Sequence, residues 1–336
     1  MNAPGIQSAL HPATGSGAAL ISELTAALFV GGAVLFLLVM GLLVRAVFSQ
    51  EKRVDARRWV LWGGVVLPVA VLTVLLLYAL AVGGALADVN SRGPLRFVLD
   101  CISSGARALA APFGTERPVR IEVTGKQWWW EVRYWGPGTG VTGVPLANEL
   151  RLPAGQPVEL LLESADVIHS FWVPALAGKV DMIPGRVNRL VLRASAPGVH
   201  RGQCAEYCGG QHALMALYVV VVPEPEFRAW LQQQARPATA PADPFLALGR
   251  DSFMRGECAE CHTIRGTSAR GARGPDLTHV GSRLSLAAGV LGNHEGTMAG
   301  WIAGAQDLKH GNHMPSTREF TGVELRALSA WLSSLE

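Results

Sequence analysis

Apolar residues gather near the start of the chain into two long runs and afterwards alternate with polar ones over short distances. Ala26 to Phe48 holds one charge, Arg45, near its end, and Trp59 to Ala87 holds none, although Gly63, Gly64 and Pro68 interrupt it. Each run exceeds the roughly 20 residues that cross about 30 Å of hydrocarbon as a helix. They predict a transmembrane helical hairpin over 26–87, with helices at about 26–48 and 59–87. Lys52, Arg53, Arg57 and Arg58 lie between them, and the positive-inside rule assigns that basic loop to the cytoplasm. Both termini and everything after Ala87 then lie on the periplasmic side of a bacterial-type cell membrane, the chain being multi-pass. Residues 1–25 lack a basic n-region and carry Pro, Gly and Ser, so they read as an external N-terminal segment and not as a signal peptide.

After a connecting segment at 88–117, the period changes to two. Val119, Ile121 and Val123 alternate with Arg120, Glu122 and Thr124, and Trp128, Trp130, Val132 and Tyr134 fall on one face of the next run. Further apolar runs at Val158–Leu162, Val187–Leu192 and Leu217–Val222 are bounded by Pro and Gly, which predicts an all-β sandwich or barrel over 118–223. A short amphipathic helix with Phe227, Trp230 and Leu231 on one face, then a Pro/Ala spacer, occupy 224–244. The remainder, 245–336, reads as a small, mostly helical domain. It opens on the apolar stretch Phe245–Phe253 and closes on Thr321–Leu335, where Thr321 and Glu324 form a capping box before Leu325, Leu328, Leu332 and Leu335. The fold class expected is therefore a multi-domain membrane protein: a two-helix hairpin, an all-β barrel and an all-α C-terminal domain.

Composition agrees with the membrane reading. Of 336 residues, 49% are hydrophobic and only 16% charged, unusual for a soluble chain. The net charge of +3 is too small to argue for a nucleic-acid partner. Four of the five cysteines form the close pairs 204/208 and 258/261, which suggests metal or cofactor chemistry more than a disulfide scaffold. The fifth, Cys101, reads as a free small residue between membrane and barrel.

The first constellation is Cys204-Ala-Glu206-Tyr-Cys208-Gly-Gly-Gln-His212-Ala-Leu-Met215, with His169 upstream in Asp166-Val-Ile-His169-Ser-Phe-Trp172. Thiolate, imidazole and thioether together suit copper. A mononuclear blue-copper site needs one Cys, two His and a weak Met. With a second Cys, two thiolates can bridge two copper ions, each capped by one His, with weak further ligands from the Met sulfur and a backbone carbonyl. A Cys204–Cys208 disulfide and a zinc site are the alternatives; Met215 and His169 favour copper.

This segment resembles the dicopper (CuA) signature of cytochrome c oxidase subunit II, a family with a cupredoxin-like barrel. Gly125-Lys-Gln-Trp128-Trp-Trp130-Glu and the run from Asp166 to Asn188, which contains Gly178-Lys-Val-Asp-Met-Ile-Pro-Gly-Arg-Val-Asn, are similar to the same family, and the likeness covers the hairpin and barrel. The resemblance implies that Cys204 and Cys208 bridge two coppers and that His169 and His212 are terminal ligands. It implies that Met215 and the Glu206 carbonyl are weak ligands, and that the Glu206 carboxylate serves a magnesium site shared with subunit I. Trp128 matches the aromatic residue that passes electrons towards copper. Core packing is the plain alternative for the tryptophan cluster.

The second constellation, Cys258-Ala-Glu-Cys261-His262, is the attachment motif of a c-type haem, with two thioether bonds and His262 as iron ligand. Met314, in Gly311-Asn-His-Met314-Pro315, fits the other axial position; Met298 is the rival, and His310 and His313 stand nearby. Gly274-Pro275-Asp276-Leu277 resembles the loop that packs on the proximal side of the haem in class I cytochromes c, where Pro275 orients His262 through its second ring nitrogen. A subunit II with this extension resembles the oxidases of caa3 type, in which tethering gives the haem a high effective concentration at the copper domain. The implied partners are subunits I and III and an electron donor such as a cytochrome c. The implied work is electron relay from donor to haem c, to dicopper, to subunit I, where oxygen is reduced to water. A relay to a different acceptor, such as a nitrogen-oxide reductase, is the alternative. One departure stands out: many members carry a carboxylate seven residues before the helix proline, where this chain has Leu61, and Asp55 is not expected to replace it.

Overall fold

The computed structural model describes residues 15–48, 55–90, 118–135, 143–241 and 243–336. Cys101 and most of the connecting segment lie outside the described residues, as do Lys52 and Arg53 of the basic loop.

The first helix runs Ser16–Phe48. It begins ten residues before the expected boundary, so residues 16–25, expected in an external segment, are helical. Their Ala, Leu and Ile content supports a helix, while Ser16, Gly17, Ser22 and Glu23 keep local hydropathy low. The second run is continuous through Ala56–Leu61, a π-helical turn at Trp62–Val66, and Leu67–Asn90. The glycines and Pro68 therefore do not break it. The wider turn, with Leu67 N–H bonding to the Trp62 carbonyl, absorbs the irregularity that a proline introduces. Both helices are long and apolar enough to cross a membrane. Large side chains such as Phe29, Phe36, Leu37 and Phe48 on the first, and Leu72 and Val74 on the second, are exposed all round, which water does not favour and lipid does. Asp55 accepts from the Arg58 backbone N–H at 3.2 Å and caps the second helix.

Among the described residues, the β domain consists of two five-stranded sheets. One has the order β3 (Val144–Ala147), β2 (Trp129–Trp135), β1 (Val119–Lys126), β5 (Pro157–Ser164), β8 (Asn188–Arg193). The other has the order β4 (Glu149–Pro153), β10 (Ala216–Val222), β9 (Gly198–Cys204), β6 (His169–Trp172), β7 (Val180–Met182). Two pairings are parallel, β1 with β5 and β10 with β4; the others are antiparallel. Period-two burial is direct: Ile121, Val123, Trp130, Val132 and Tyr134 are wholly buried, and Leu160, Leu162, Phe171 and Leu217 meet them from the other strands. Trp128 is the exception on its expected face. It stands in the β1–β2 turn, partly buried, and packs against the same core from its edge. This is a cupredoxin-like barrel.

The helix Glu224–Gln234 closes the barrel with Phe227 and Leu231, while Trp230 stacks edge-on against Tyr134 at 5.4 Å. In the C-terminal domain, helices Pro244–Arg255, Glu295–Leu308 and Gly322–Ser333 surround a second core of Phe253, Met298, Ile302, Leu328, Trp331 and Leu332. The expected capping box is present: Thr321 Oγ1 accepts from Glu324 N, and the Glu324 carboxylate accepts from Thr321 N at 2.9 Å.

Candidate functional site

Three strands and one loop bring the first constellation together at one end of the barrel. His169 opens β6, Cys204 ends β9, and the loop Ala205–Met215 returns the chain to β10. Backbone bonds shape that loop: Cys204 N–H to Met215 O at 2.9 Å, His212 N–H to Gly209 O at 3.0 Å and Ala205 N–H to Ser170 O at 3.0 Å. Cys204 and Cys208 Sγ lie 3.7 Å apart. That excludes a disulfide, whose sulfurs stand about 2.05 Å apart. His169 Nδ1 is 3.9 Å from Cys204 Sγ, His212 Nδ1 is 3.6 Å from Cys208 Sγ, and Met215 Sδ is 3.9 Å from Cys208 Sγ. The Glu206 carbonyl is 3.2 Å from Cys204 Sγ. His169, Cys204, Cys208 and Met215 are all buried. The six atoms named at the sequence level thus converge on one small volume.

Two thiols at this distance cannot both ionise without a cation between them. Hydrogen bonding from Cys208 draws the Cys204 thiol down to about 3, against the effect of burial, and the resulting anion drives Cys208 upwards. Burial lowers His169, but its bonds to Cys204 and Asp166 outweigh that and raise it. A pair of buried thiols, a buried imidazole and thioether, and the partly buried His212 imidazole fit soft metal ions such as copper.

Two residues inside the runs quoted above have supporting roles that the sequence alone did not assign. Asp166 Oδ1 lies 2.7 Å from His169 Nε2, and its Oδ2 accepts from the Gln127 backbone N–H at 2.7 Å. With Nε2–H donating to this carboxylate, the Nδ1 lone pair faces the thiols. An acid three residues before the histidine was the available signal. Gly125 is the second: a Cβ there would sit 2.8 Å from His169 Cδ2, so the glycine makes room for the ring.

Trp128 donates its indole N–H to the Cys208 carbonyl at 3.0 Å, and its ring lies 5.7 Å from that of His313 in the C-terminal domain. The Glu206 carboxylate points the other way, 3.9 Å from Lys179 Nζ, which also approaches Asp181 at 4.0 Å.

In the C-terminal domain the short helix Cys258–Cys261 places two thiols three residues apart, hence on one side. His262 Nδ1 lies 2.8 Å from the Pro275 carbonyl, leaving Nε2 free to ligate, and a Cβ at Gly274 would strike the ring at 2.6 Å. Loss of hydration holds His262 below the ordinary imidazole range. Cys258, Leu277, Met314 and Phe320 pack on the second core while remaining partly exposed, which suits the rim of a flat apolar cofactor. Met314 sits in a tethered loop, its N–H donating to Asn312 Oδ1 at 2.7 Å and its carbonyl accepting from Gln306 Nε2 at 2.6 Å. Met298 is 3% exposed inside the helix Glu295–Leu308. His310 and His313 are both exposed.

The family model for the cytochrome c oxidase subunit II periplasmic domain matches residues 140–222, and that for cytochrome c matches residues 246–336. The chain thus joins a segment similar to the subunit II periplasmic domain to one similar to cytochrome c. It is 37% identical over 221 residues to cytochrome c oxidase subunit 2 of Alkalihalophilus pseudofirmus, covering 66% of this chain and 62% of that one. It is 30% identical over 228 residues to the Bacillus subtilis protein of the same name, covering 64% and 62%. The chain thus spans about 62% of the length of these curated relatives. Among solved structures, the periplasmic domain of subunit II of cytochrome oxidase from Bradyrhizobium japonicum aligns at 33% identity, over 35% of this chain and 94% of that one, with a TM-score of 0.33. A c-type cytochrome of Sinorhizobium meliloti aligns at 26% identity, over 27% and 90%, with a TM-score of 0.21. The two domains of this subunit II homologue imply copper and haem as its cofactors.

Proposed function

We propose that this chain is the electron-input subunit of a membrane-bound cytochrome c oxidase of caa3 type, an oxidoreductase complex with oxygen as acceptor. Electrons from an external donor reach haem c, pass to a dicopper centre, and go on to subunit I, where oxygen is reduced to water. The observation that carries this reading is the convergence of two buried thiols, two imidazoles and a thioether beside Trp128, which in turn touches the C-terminal domain. Cys204 and Cys208 would bridge two coppers, with His169 and His212 as terminal ligands and Met215 and the Glu206 carbonyl as weak ones. Cys258 and Cys261 would hold the haem covalently, with His262 and Met314 on its iron and Pro275 steering the His262 ring. When bound, these groups supply one-electron redox chemistry with little change of geometry.

The protein's own residues keep that geometry fixed. Asp166 fixes the His169 tautomer, Gly125 admits the ring, and Trp128 ties the copper loop to the β1–β2 turn. Glu206, which shares the Lys179 ammonium with Asp181, is the carboxylate for a magnesium ion shared with subunit I. Both termini, the barrel and the haem domain would lie on the periplasmic side, with subunits I and III in the membrane. Leu61 offers no proton at the second helix, and Asp55 is occupied as a helix cap.

Metal analysis of the purified full-length protein tests the reading: two coppers and one iron per chain are expected, and one copper, or zinc, would defeat the dicopper assignment. Asp166→Ala should weaken copper retention by roughly 10- to 100-fold against a competing chelator while the haem spectrum stays unchanged. Unchanged retention would remove Asp166 from the site.

A further inference from the structure

Lys309 follows the helix Glu295–Leu308 in the C-terminal domain, yet its side chain is buried, at 3% exposure. Its ammonium donates to three backbone carbonyls: Trp128 at 2.8 Å, Leu214 at 2.9 Å and Ala287 at 3.1 Å. Two belong to the barrel, one in the β1–β2 turn and one just before Met215, and the third belongs to the C-terminal domain. A buried charge is costly unless its donors are satisfied, and here all three ammonium hydrogens have an acceptor.

The acceptor on the C-terminal side lies in an unusual loop. Ala287, Ala288 and Gly289 all have positive φ, at 53°, 61° and 78°. Two alanines in that region are strained and persist only where their surroundings hold them. What holds them is the barrel. The Ala288 carbonyl accepts from Ala216 N–H at 2.9 Å, and the Gly289 carbonyl accepts from Arg201 at 3.0 Å. Next to the loop, Leu284 N–H donates to the buried Glu149 carboxylate at 2.8 Å. A Cβ on Gly289 would meet the Ala216 Cβ at 2.9 Å, so the two surfaces are in close contact.

We infer that Lys309 is a positioning residue, a three-point latch that, with the strained loop 287–289, fixes the C-terminal domain on the copper loop and clamps Trp128 between them. Its importance for electron relay rests on the function proposed above; the latch itself rests on the contacts alone. Burial draws Lys309 down to about 8, which leaves it an ammonium at neutral pH. The fixed result is one order of groups across the boundary: His313, Trp128, the Cys208 carbonyl.

Amide hydrogen exchange on the full-length protein tests this without reference to cofactor content. In Lys309→Met, the Ala216 and Leu284 amides, which bond across the boundary, should exchange at least about ten-fold faster, as loss of a charge-assisted bond predicts. Val219 and Val221, central in β10, should not change. Unchanged exchange at Ala216 and Leu284 would overturn the latch. Acceleration throughout β10 would overturn it too, because Lys309 would then be supporting the barrel itself. Should Lys309→Met fail to fold, Gly289→Val gives the same test by wedging the loop from Ala216. In the loaded complex, haem-to-copper electron transfer should slow at least about ten-fold in either variant, with both optical spectra unaltered. A parent chain without copper or iron would refute the relay and leave the exchange test standing.

Discussion

Cys204→Ser should empty the proposed copper site: copper is expected to fall from two per chain to none, with loss of the near-infrared band and mixed-valence signal. The haem spectrum should be retained, because the proposed attachment residues Cys258, Cys261 and His262 lie in the C-terminal domain, where Cys258 packs on a core separate from that of Cys204. The size of the effect follows from position. Cys204 Sγ stands 3.7 Å from Cys208 Sγ, 3.9 Å from His169 Nδ1 and 3.2 Å from the Glu206 carbonyl, so it touches both halves of the site. It is also the thiol that its neighbours hold ionised, down to about 3. A serine hydroxyl stays protonated at neutral pH and is a hard donor, unsuited to soft copper. The loss should exceed the roughly 10- to 100-fold that outer contacts command. The barrel itself should stand, since the Cys204 N–H to Met215 O bond is backbone to backbone. Retention of full copper in this variant would refute the bridging role.

Met314→Ala lowers the haem potential by about 0.1 V or more, a fraction of the roughly 0.8 V that axial ligands span. If Met314 is the axial ligand proposed above, its truncation removes the thioether that raises the potential, and the visible spectrum should lose its sulfur–iron feature. Met298→Ala provides the contrast. Its side chain fills the core beside Ile302 and Leu328, so truncation opens a cavity costing about 2–5 kcal/mol of stability. Its potential should match the parent. Equal potentials in both variants would assign the sixth position to another residue, and a shift in Met298→Ala alone would exchange the two roles.

Local order was largely legible. Alternation from Val119 to Tyr134 marks β1 and β2, and the Thr321–Glu324 capping box marks the start of the last helix to the residue. The grouping of the proposed copper donors was legible for the same reason: five of the six fall within twelve consecutive residues. Contacts between distant segments were not. Asp166 had only its spacing from His169 to mark it, and Gly125 gains its purpose only from the approach of β1 to β6. Lys309 ends a helix whose sequence suggests a solvated cation, and nothing local reveals three carbonyls waiting in other segments. The early start at Ser16 was hidden because helix propensity, not hydropathy, sets that boundary.

The acceptors around Lys309 are neutral, and that has a kinetic corollary. Docking between separate redox proteins relies on opposed surface charges, so its rate falls as ionic strength rises. A buried ammonium held by peptide carbonyls is out of reach of mobile ions. Transfer across this boundary should therefore hold the same rate from dilute buffer to molar salt, while delivery from an external donor slows. Ionic strength becomes a means of separating the two steps within one molecule.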